Sequence, residues 1–258
     1  MKQMNENLYI FHYPLYNFNI SVIKTDDYIF VIDTYLGPDG IREVKEFVEK
    51  IKDNRTVYII NTHSHYDHIW GNCLFENYQI ISHKLCREKI LSDGEKVLNE
   101  FKEKEPKLIL GEVKIKAPDI IFEDELTFFS KDISVKLKHF CGHTKDCIVI
   151  ILEPYHICIA GDLVEEPFPL VSEEDSDLRE FILSLESLDK MDFNLVIPSH
   201  GNSFENKLIK ENLSYLKQLE NKSIEDDYCK KKNITSEFYL EAHKQNLKQI
   251  DKRQKRGK

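Results

Sequence analysis

Short aliphatic and β-branched runs alternate with amphipathic stretches along most of this chain, and their order predicts the architecture. Residues 19–24 and 28–33 are apolar runs joined by Thr25-Asp26-Asp27, the pattern of a hairpin. Pro38 and Asp39 then open a predicted helix that places Ile41, Val44, Phe47, Val48 and Ile51 on one face. A strand over 56–61 follows, then a short strand at 79–82, a helix over 83–103 and two or three strands within 119–139. Two more strands are expected at 147–152 and 156–161. Helices over about 175–190 and 205–221 carry Leu178, Phe181, Ile182, Leu185 and Leu188, and Leu208, Ile209, Leu213 and Leu216. This order suits two mixed sheets packed face to face with helices outside.

At 258 residues, 41% hydrophobic and 31% charged, the chain has the size and composition of one large globular domain. The division expected is a body over 1–222 and a basic, helical C-terminal tail over 223–258. The N-terminus enters strand-like sequence without an apolar leader core, and no run approaches a bilayer span, so a cytoplasmic, non-membrane protein is expected. The six cysteines form no CxxC pair and read as buried small side chains or free thiols.

Charge is unevenly distributed. From Lys230 to Lys258 ten Lys or Arg stand against three acids, a local +7 that leaves −16 on the remainder of a chain of net −9. An acidic body is a poor platform for nucleic acid, leaving the tail as the only basic surface for it. Phe238, Leu240, Leu247 and Ile250 predict a marginal amphipathic helix there, frayed over 252–258, packed on the domain rather than extended as a binding arm.

The chemistry is concentrated after the strand at 56–61. His63, His65, Asp67 and His68 place three imidazoles and a carboxylate within six residues. These are donors that zinc and its first-row neighbours accept, and one metal would not readily take all four from so short a loop. Further donors stand at predicted strand ends: His143 in Cys141-Gly142-His143-Thr144, Asp162 after Ile157–Gly161, and His200 after Leu195–Ser199. The assignment is His63, His65 and His143 to one metal, Asp67, His68 and His200 to a second, and Asp162 as a bridge. Cys141 and Cys147 flank His143, but the imidazole and carboxylate set is complete without them.

On these four ordered pieces, HxHxDH, Gly142-His143-Thr144, Ala160-Gly161-Asp162 and Ser199-His200-Gly201, the chain resembles the metallo-β-lactamase-fold hydrolase superfamily over roughly residues 8–220. The resemblance implies a mixed α+β or α/β fold, the four-layer αββα sandwich, with metals at one edge between the sheets. The family commonly has proline where Cys141 stands, a departure that bears on the shape of that loop.

Two divalent ions, zinc first, with iron or manganese as alternatives, would share a water, lower its pKa and stabilise the oxyanion that forms. Asp67 has a second expected role as the catalytic carboxylate that orients this water and takes its proton. Asp33 either orients a ligating histidine or caps the turn before Leu36-Gly37. Tyr16 and His83 are weaker site candidates, Tyr16 reading rather as a strand-edge aromatic and His83 as the start of a helix.

Aspartate at 162 rather than cysteine or serine, with His68 after Asp67, looks more like the glyoxalase II, lactonase and phosphodiesterase branches than the cysteine-ligand β-lactamases. The expected reaction is hydrolysis of a small ester, thioester or lactone. The alternatives are phosphodiester cleavage of nucleotide or RNA, and iron-based redox or oxygen chemistry, although the diiron flavoprotein branch has glutamate in place of His65. Phe168 and Leu170, after Asp162, either meet an acyl group or cover the core. The sequence leaves the oligomeric state open.

Overall fold

The computed structural model describes residues 1–171, 175–225 and 227–256. Gly257 and Lys258, at the end of the expected frayed tail, lie outside the described residues, as does the side chain of Ile250. The first sheet runs in sequence order, β1 (Lys2–Gln3), β2 (Leu8–Tyr13), β3 (Phe18–Lys24), β4 (Tyr28–Ile32), β5 (Thr56–Ile60), β6 (Gln79–His83) and β7 (Ile120–Phe122). Its pairs are antiparallel up to β4 and parallel from β4 to β7. The second sheet contains β8 (Glu125–Ser130), β9 (Ile133–His139), β10 (Ile148–Glu153), β11 (Ile157–Gly161) and β12 (Leu195–Pro198) in the order β12-β11-β10-β9-β8. Only β11 and β12 pair in parallel. The stretch 119–139 thus holds three strands, the first belonging to one sheet and the other two to its partner.

The continuous apolar runs are explained by burial on both faces. In β10, Ile148, Ile150 and Leu152 meet Ile10, Phe30, Ile32 and Ile60 of the first sheet. Val149 and Ile151, pointing the other way, pack with Phe181, Leu185 and Leu216 of α4 (Leu178–Asp189) and α5 (Lys207–Glu220). Ile29 and Val31 of β4 likewise face Val44 and Val48 of α1 (Arg42–Ile51) and Ile90 and Leu98 of α3 (Lys84–Lys104). The layers are therefore helix, sheet, sheet and helix, the fold class expected.

One local departure has a physical cause. Helix α1 begins at Arg42, not at Pro38, because Leu36 O and Asp39 N are both bonded to the backbone of Leu110. Gly37 sits there at φ +142° against the Leu110 carbonyl, a conformation closed to other residues.

The C-terminal segment forms α6 (Tyr228–Lys231) and α7 (Glu237–Arg256), and α7 packs on α5. Its inward face is Tyr239, Ala242, His243 and Asn246, with Leu247 partly buried, whereas Phe238 and Leu240 are exposed. Asn246 is the anchor: its Oδ1 accepts from Val171 N at 2.9 Å, and its Nδ2 donates to Pro169 O and to the Tyr215 hydroxyl, both at 3.0 Å. Phe168 stacks on Tyr215 at 4.5 Å beneath this helix and is fully buried, so it covers the core. Among the described residues no helix is long and apolar enough to cross a membrane. Replacing Asn246 with Leu takes this partner from the buried Val171 N and Pro169 O, while the Tyr215 hydroxyl keeps its contact with His243, and should lower unfolding free energy by about 2–4 kcal/mol. Urea denaturation checks this; an unchanged midpoint would mean that α7 is not anchored through this side chain.

Candidate metal centre

The expected donors all arrive from strand ends at one edge of the two sheets. Beyond β5 the chain turns through Thr62–His65 into the short helix α2 (Tyr66–Ile69), which delivers His63, His65, Asp67 and His68. From the second sheet come His143 between β9 and β10, Asp162 after β11 and His200 after β12. Gly161, at φ +58°, makes the turn that aims Asp162 inward, and a β-carbon there would press on the Thr62 side chain.

The donor atoms converge. His65 Nδ1 is 3.0 Å from His143 Nε2; His68 Nε2 lies 3.3 Å from Asp162 Oδ2, and His200 Nε2 3.3 Å from Asp67 Oδ2. Asp162 Oδ2 also lies 3.8, 3.6 and 3.5 Å from the Nε2 atoms of His63, His143 and His200. Ligands on one tetrahedral zinc, at bonds of 2.0–2.2 Å, stand roughly 3.4 Å apart, so this spacing fits metal coordination. Three buried atoms, His63 Nε2, His68 Nε2 and Asp162 Oδ1, have no hydrogen-bond partner. Buried unpaired donors and acceptors are costly, which is a second indication that a cation completes the set. Four groupings are seen: His63 with His65 and His143, Asp67 with His68 and His200, His63 and His68 with Asp162, and His143 and Asp162 with Glu165.

The opposite ring nitrogens are tied down, which fixes the tautomers. His143 Nδ1 donates to Leu170 O at 3.3 Å and His200 Nδ1 to Tyr16 O at 2.9 Å, so each Nε2 lone pair faces the cluster. His63 Nδ1 reaches Thr62 Oγ1 at 3.1 Å. Asp33 accepts from His68 Nδ1 at 2.8 Å, from Thr62 N at 2.7 Å and from Thr62 Oγ1 at 2.8 Å. It sits at φ +64° at the end of β4, and its side chain faces the donor cluster rather than the turn at Leu36. His65 turns its Nε2 toward Asp175 at 3.6 Å, and Asp175 also pairs with Lys89.

Electrostatics divide the cluster. Burial pushes His63 well below the usual imidazole range and His143 down to about 4. Burial also opposes charge on His68 and His200, but the surrounding carboxylates, Asp162 above all, hold both well above that range. Asp162, which burial alone would raise, is held well below the carboxylate range by His68 and His200. Without metal, protons on His68 and His200 balance the carboxylates.

Sequence reasoning missed Glu165 as a component of the site. It is buried beside His143 (3.7 Å) and accepts from Leu170 N at 3.0 Å; burial, then the Asp162 charge, push its carboxyl up to about 8. An acid inside the apolar run 163–170 was the available signal. Tyr16 lies in the turn between β2 and β3 and lines the cavity, where a strand-edge position was expected; the chain there is left-handed, which no strand accommodates. His83 caps α3, accepting from Leu85 N at 3.3 Å. Cys147 is buried against Thr144, 3.0 Å from its hydroxyl, and belongs to none of the donor groupings.

The donors open into a cavity of about 810 Å³. Its walls include two groups of side chains, Tyr16 and Tyr66, hydrogen-bonded to each other, and Leu170 and Val171 with Phe238, Tyr239, Gln245 and Gln249 of α7.

Comparison with known proteins agrees with this geometry. A family model described as the metallo-beta-lactamase superfamily matches residues 15–200. A metallo-beta-lactamase type 2 from Bacillus sp. (strain 170) is 28% identical over 238 residues, covering 84% of this chain and 82% of that protein. Its counterpart from Bacillus cereus is 27% identical over 231 residues, with 84% and 82% covered. Among solved structures, a metallo-beta-lactamase from Pontibacter korlensis superposes with a TM-score of 0.63 at 19% identity, over 84% of this chain and 97% of the other. A metallo-beta-lactamase family protein from Thermus thermophilus gives 0.68 at 16% identity, over 85% and 82%.

Two outcomes follow from the charges. Because His68 and His200 hold protons in the metal-free protein, zinc binding at pH 7 should release protons and weaken as pH falls. Calorimetry in buffers of different ionisation enthalpy measures the release, and an enthalpy independent of buffer would contradict it. Asp33→Asn should weaken zinc binding about 10–100-fold with the fold intact, read by chelator competition.

Proposed function

The chain belongs to the metallo-beta-lactamase superfamily and is a metal-dependent hydrolase, and on that basis we propose that it hydrolyses a small ester, thioester or lactone at a pair of divalent cations. One cation is assigned to His63, His65 and His143, the other to Asp67, His68 and His200, with Asp162 between them. The observation that carries this reading is the set of seven convergent donors, of which His63 Nε2, His68 Nε2 and Asp162 Oδ1 are buried without a partner. Zinc suits this nitrogen and oxygen set, and iron or manganese would accept it too. Bound there, the cations supply an activated water and a Lewis acid for the substrate carbonyl.

The chain's own groups do the rest. Asp67 Oδ2, 3.3 Å from His200 Nε2 and at the cavity floor, is placed to orient the attacking water and accept its proton. Asp33, through His68, holds the second group of donors in position. Leu170 and Val171, with Phe238 on α7, form an apolar wall near His143 suited to an acyl chain. Opening of a β-lactam amide is the second reading, favoured by the names of both curated relatives. The carboxylate at 162 supports the ester and lactone reading over it.

Zinc titration of metal-free protein should saturate at two ions per chain, and His68→Ala should empty the second site in preference to the first. A single equivalent would remove the paired-site assignment. A panel of a p-nitrophenyl ester, a thioester, a lactone, a chromogenic β-lactam and bis-p-nitrophenyl phosphate separates the substrate classes, with turnover expected on the first three. Asp162→Asn should lower kcat/KM by roughly 100- to 1,000-fold, the scale of losing one key electrostatic group. Near-normal turnover in that variant would exclude Asp162 from the centre.

A further inference from the structure

The turn between β2 and β3 holds Tyr16 in a conformation that a tyrosine does not favour. Tyr16 and Asn17 are consecutive left-handed residues, at φ +67° and +47°, and neither is glycine. A residue with a β-carbon is strained there, and such strain persists only where the surroundings impose it. They do so from three sides: Tyr35 donates its hydroxyl to Leu15 O at 2.9 Å, His200 Nδ1 donates to Tyr16 O at 2.9 Å, and Gly201 N donates to Asn17 O at 3.0 Å. Tyr16 is thereby fixed to the loop that carries a metal-binding histidine, with its ring 6.3 Å from that of His200. On the same wall of the cavity Tyr66, between His65 and Asp67 in the chain, donates its hydroxyl to the Tyr16 oxygen at 3.3 Å. Since the Tyr66 proton is directed to Tyr16, the hydrogen of Tyr16 points elsewhere, and its side chain lines the cavity.

Building on the acyl-hydrolase reading, we propose that Tyr16, oriented by Tyr66, is a catalytic residue whose hydroxyl donates a hydrogen bond to the leaving-group oxygen of an ester or lactone. The two walls of the cavity set the direction. The apolar wall of Leu170 and Val171 adjoins His143 and takes the acyl part, so the phenol wall beside His200 and Asp67 faces the alcohol side of the scissile bond. A hydrogen bond there strengthens as charge builds on the departing oxygen, so it aids the transition state more than the bound substrate. Tyr66 touches no substrate in this scheme and acts by positioning Tyr16.

The test uses zinc-loaded full-length protein and esters of one short acid whose alcohols range from p-nitrophenol to a simple alkanol. For the alkyl ester, Tyr16→Phe should lower kcat about 30-fold, or about 2 kcal/mol at 1.36 kcal/mol per tenfold, with KM little changed. For the p-nitrophenyl ester, whose leaving group needs no help, the loss should stay within about threefold. Tyr66→Phe should cost about fivefold on the alkyl ester and add nothing in the Tyr16→Phe background. Zinc content and circular dichroism should match the wild type in each variant. A loss equal across all leaving groups, an additive double variant or lost zinc would overturn the proposal while leaving the hydrolase reading in place. Wild-type protein inactive on every ester would overturn both.

Discussion

The organising constraint is the burial of charged and polar donors at the seam between two apolar sheets. Taking an imidazole or carboxylate out of water is costly unless something offsets the lost hydration. Here the Nε2 atoms of His63 and His68 and one oxygen of Asp162 are buried without a hydrogen-bond partner, close to one another. The Nδ1 atoms of both rings are held by Thr62 or Asp33, which leaves each Nε2 directed at the cluster. The surrounding architecture serves to keep these atoms converged: strands buried on both faces resist sliding, and their ends therefore hold short loops to a fixed position.

Asp33 links the elements that do this. One carboxylate joins the end of β4, the backbone and hydroxyl of Thr62 after β5, the ring of His68 on α2 and, at 3.3 Å, the hydroxyl of Ser199 after β12. Both sheets are thus referenced to one buried acid. On the far side, Asn19 of β3 plays a similar part, donating Nδ2 to the carbonyls of Pro198 and Gly201 at 3.1 and 2.8 Å. The residues of the candidate metal centre are therefore positioned by polar bonds between loops as much as by apolar packing.

Much of this was legible in the sequence. The strands buried on both faces appear as unbroken runs such as Ile148–Leu152, and the metal-binding types sit where those runs end, a coincidence that pattern alone exposes. Other features were hidden because their signal is not periodic. The inward face of α7 is Tyr239, Ala242, His243 and Asn246, so a search for aliphatic spacing fixed on Phe238 and Leu240, which are exposed. Asn246 packs inward because its amide answers three groups distant in sequence, and no local pattern encodes that. Tyr16 was misplaced for a related reason: left-handed backbone at a tyrosine follows from the loops that clamp it, not from its own preference.

The donors come from both sheets, His63, His65, Asp67 and His68 from the first and His143, Asp162 and His200 from the second. Any cation held among them is a bolt across the sandwich as well as a reagent. The free energy of binding it becomes, by mass action, cohesion between two halves that otherwise adhere through their aliphatic faces.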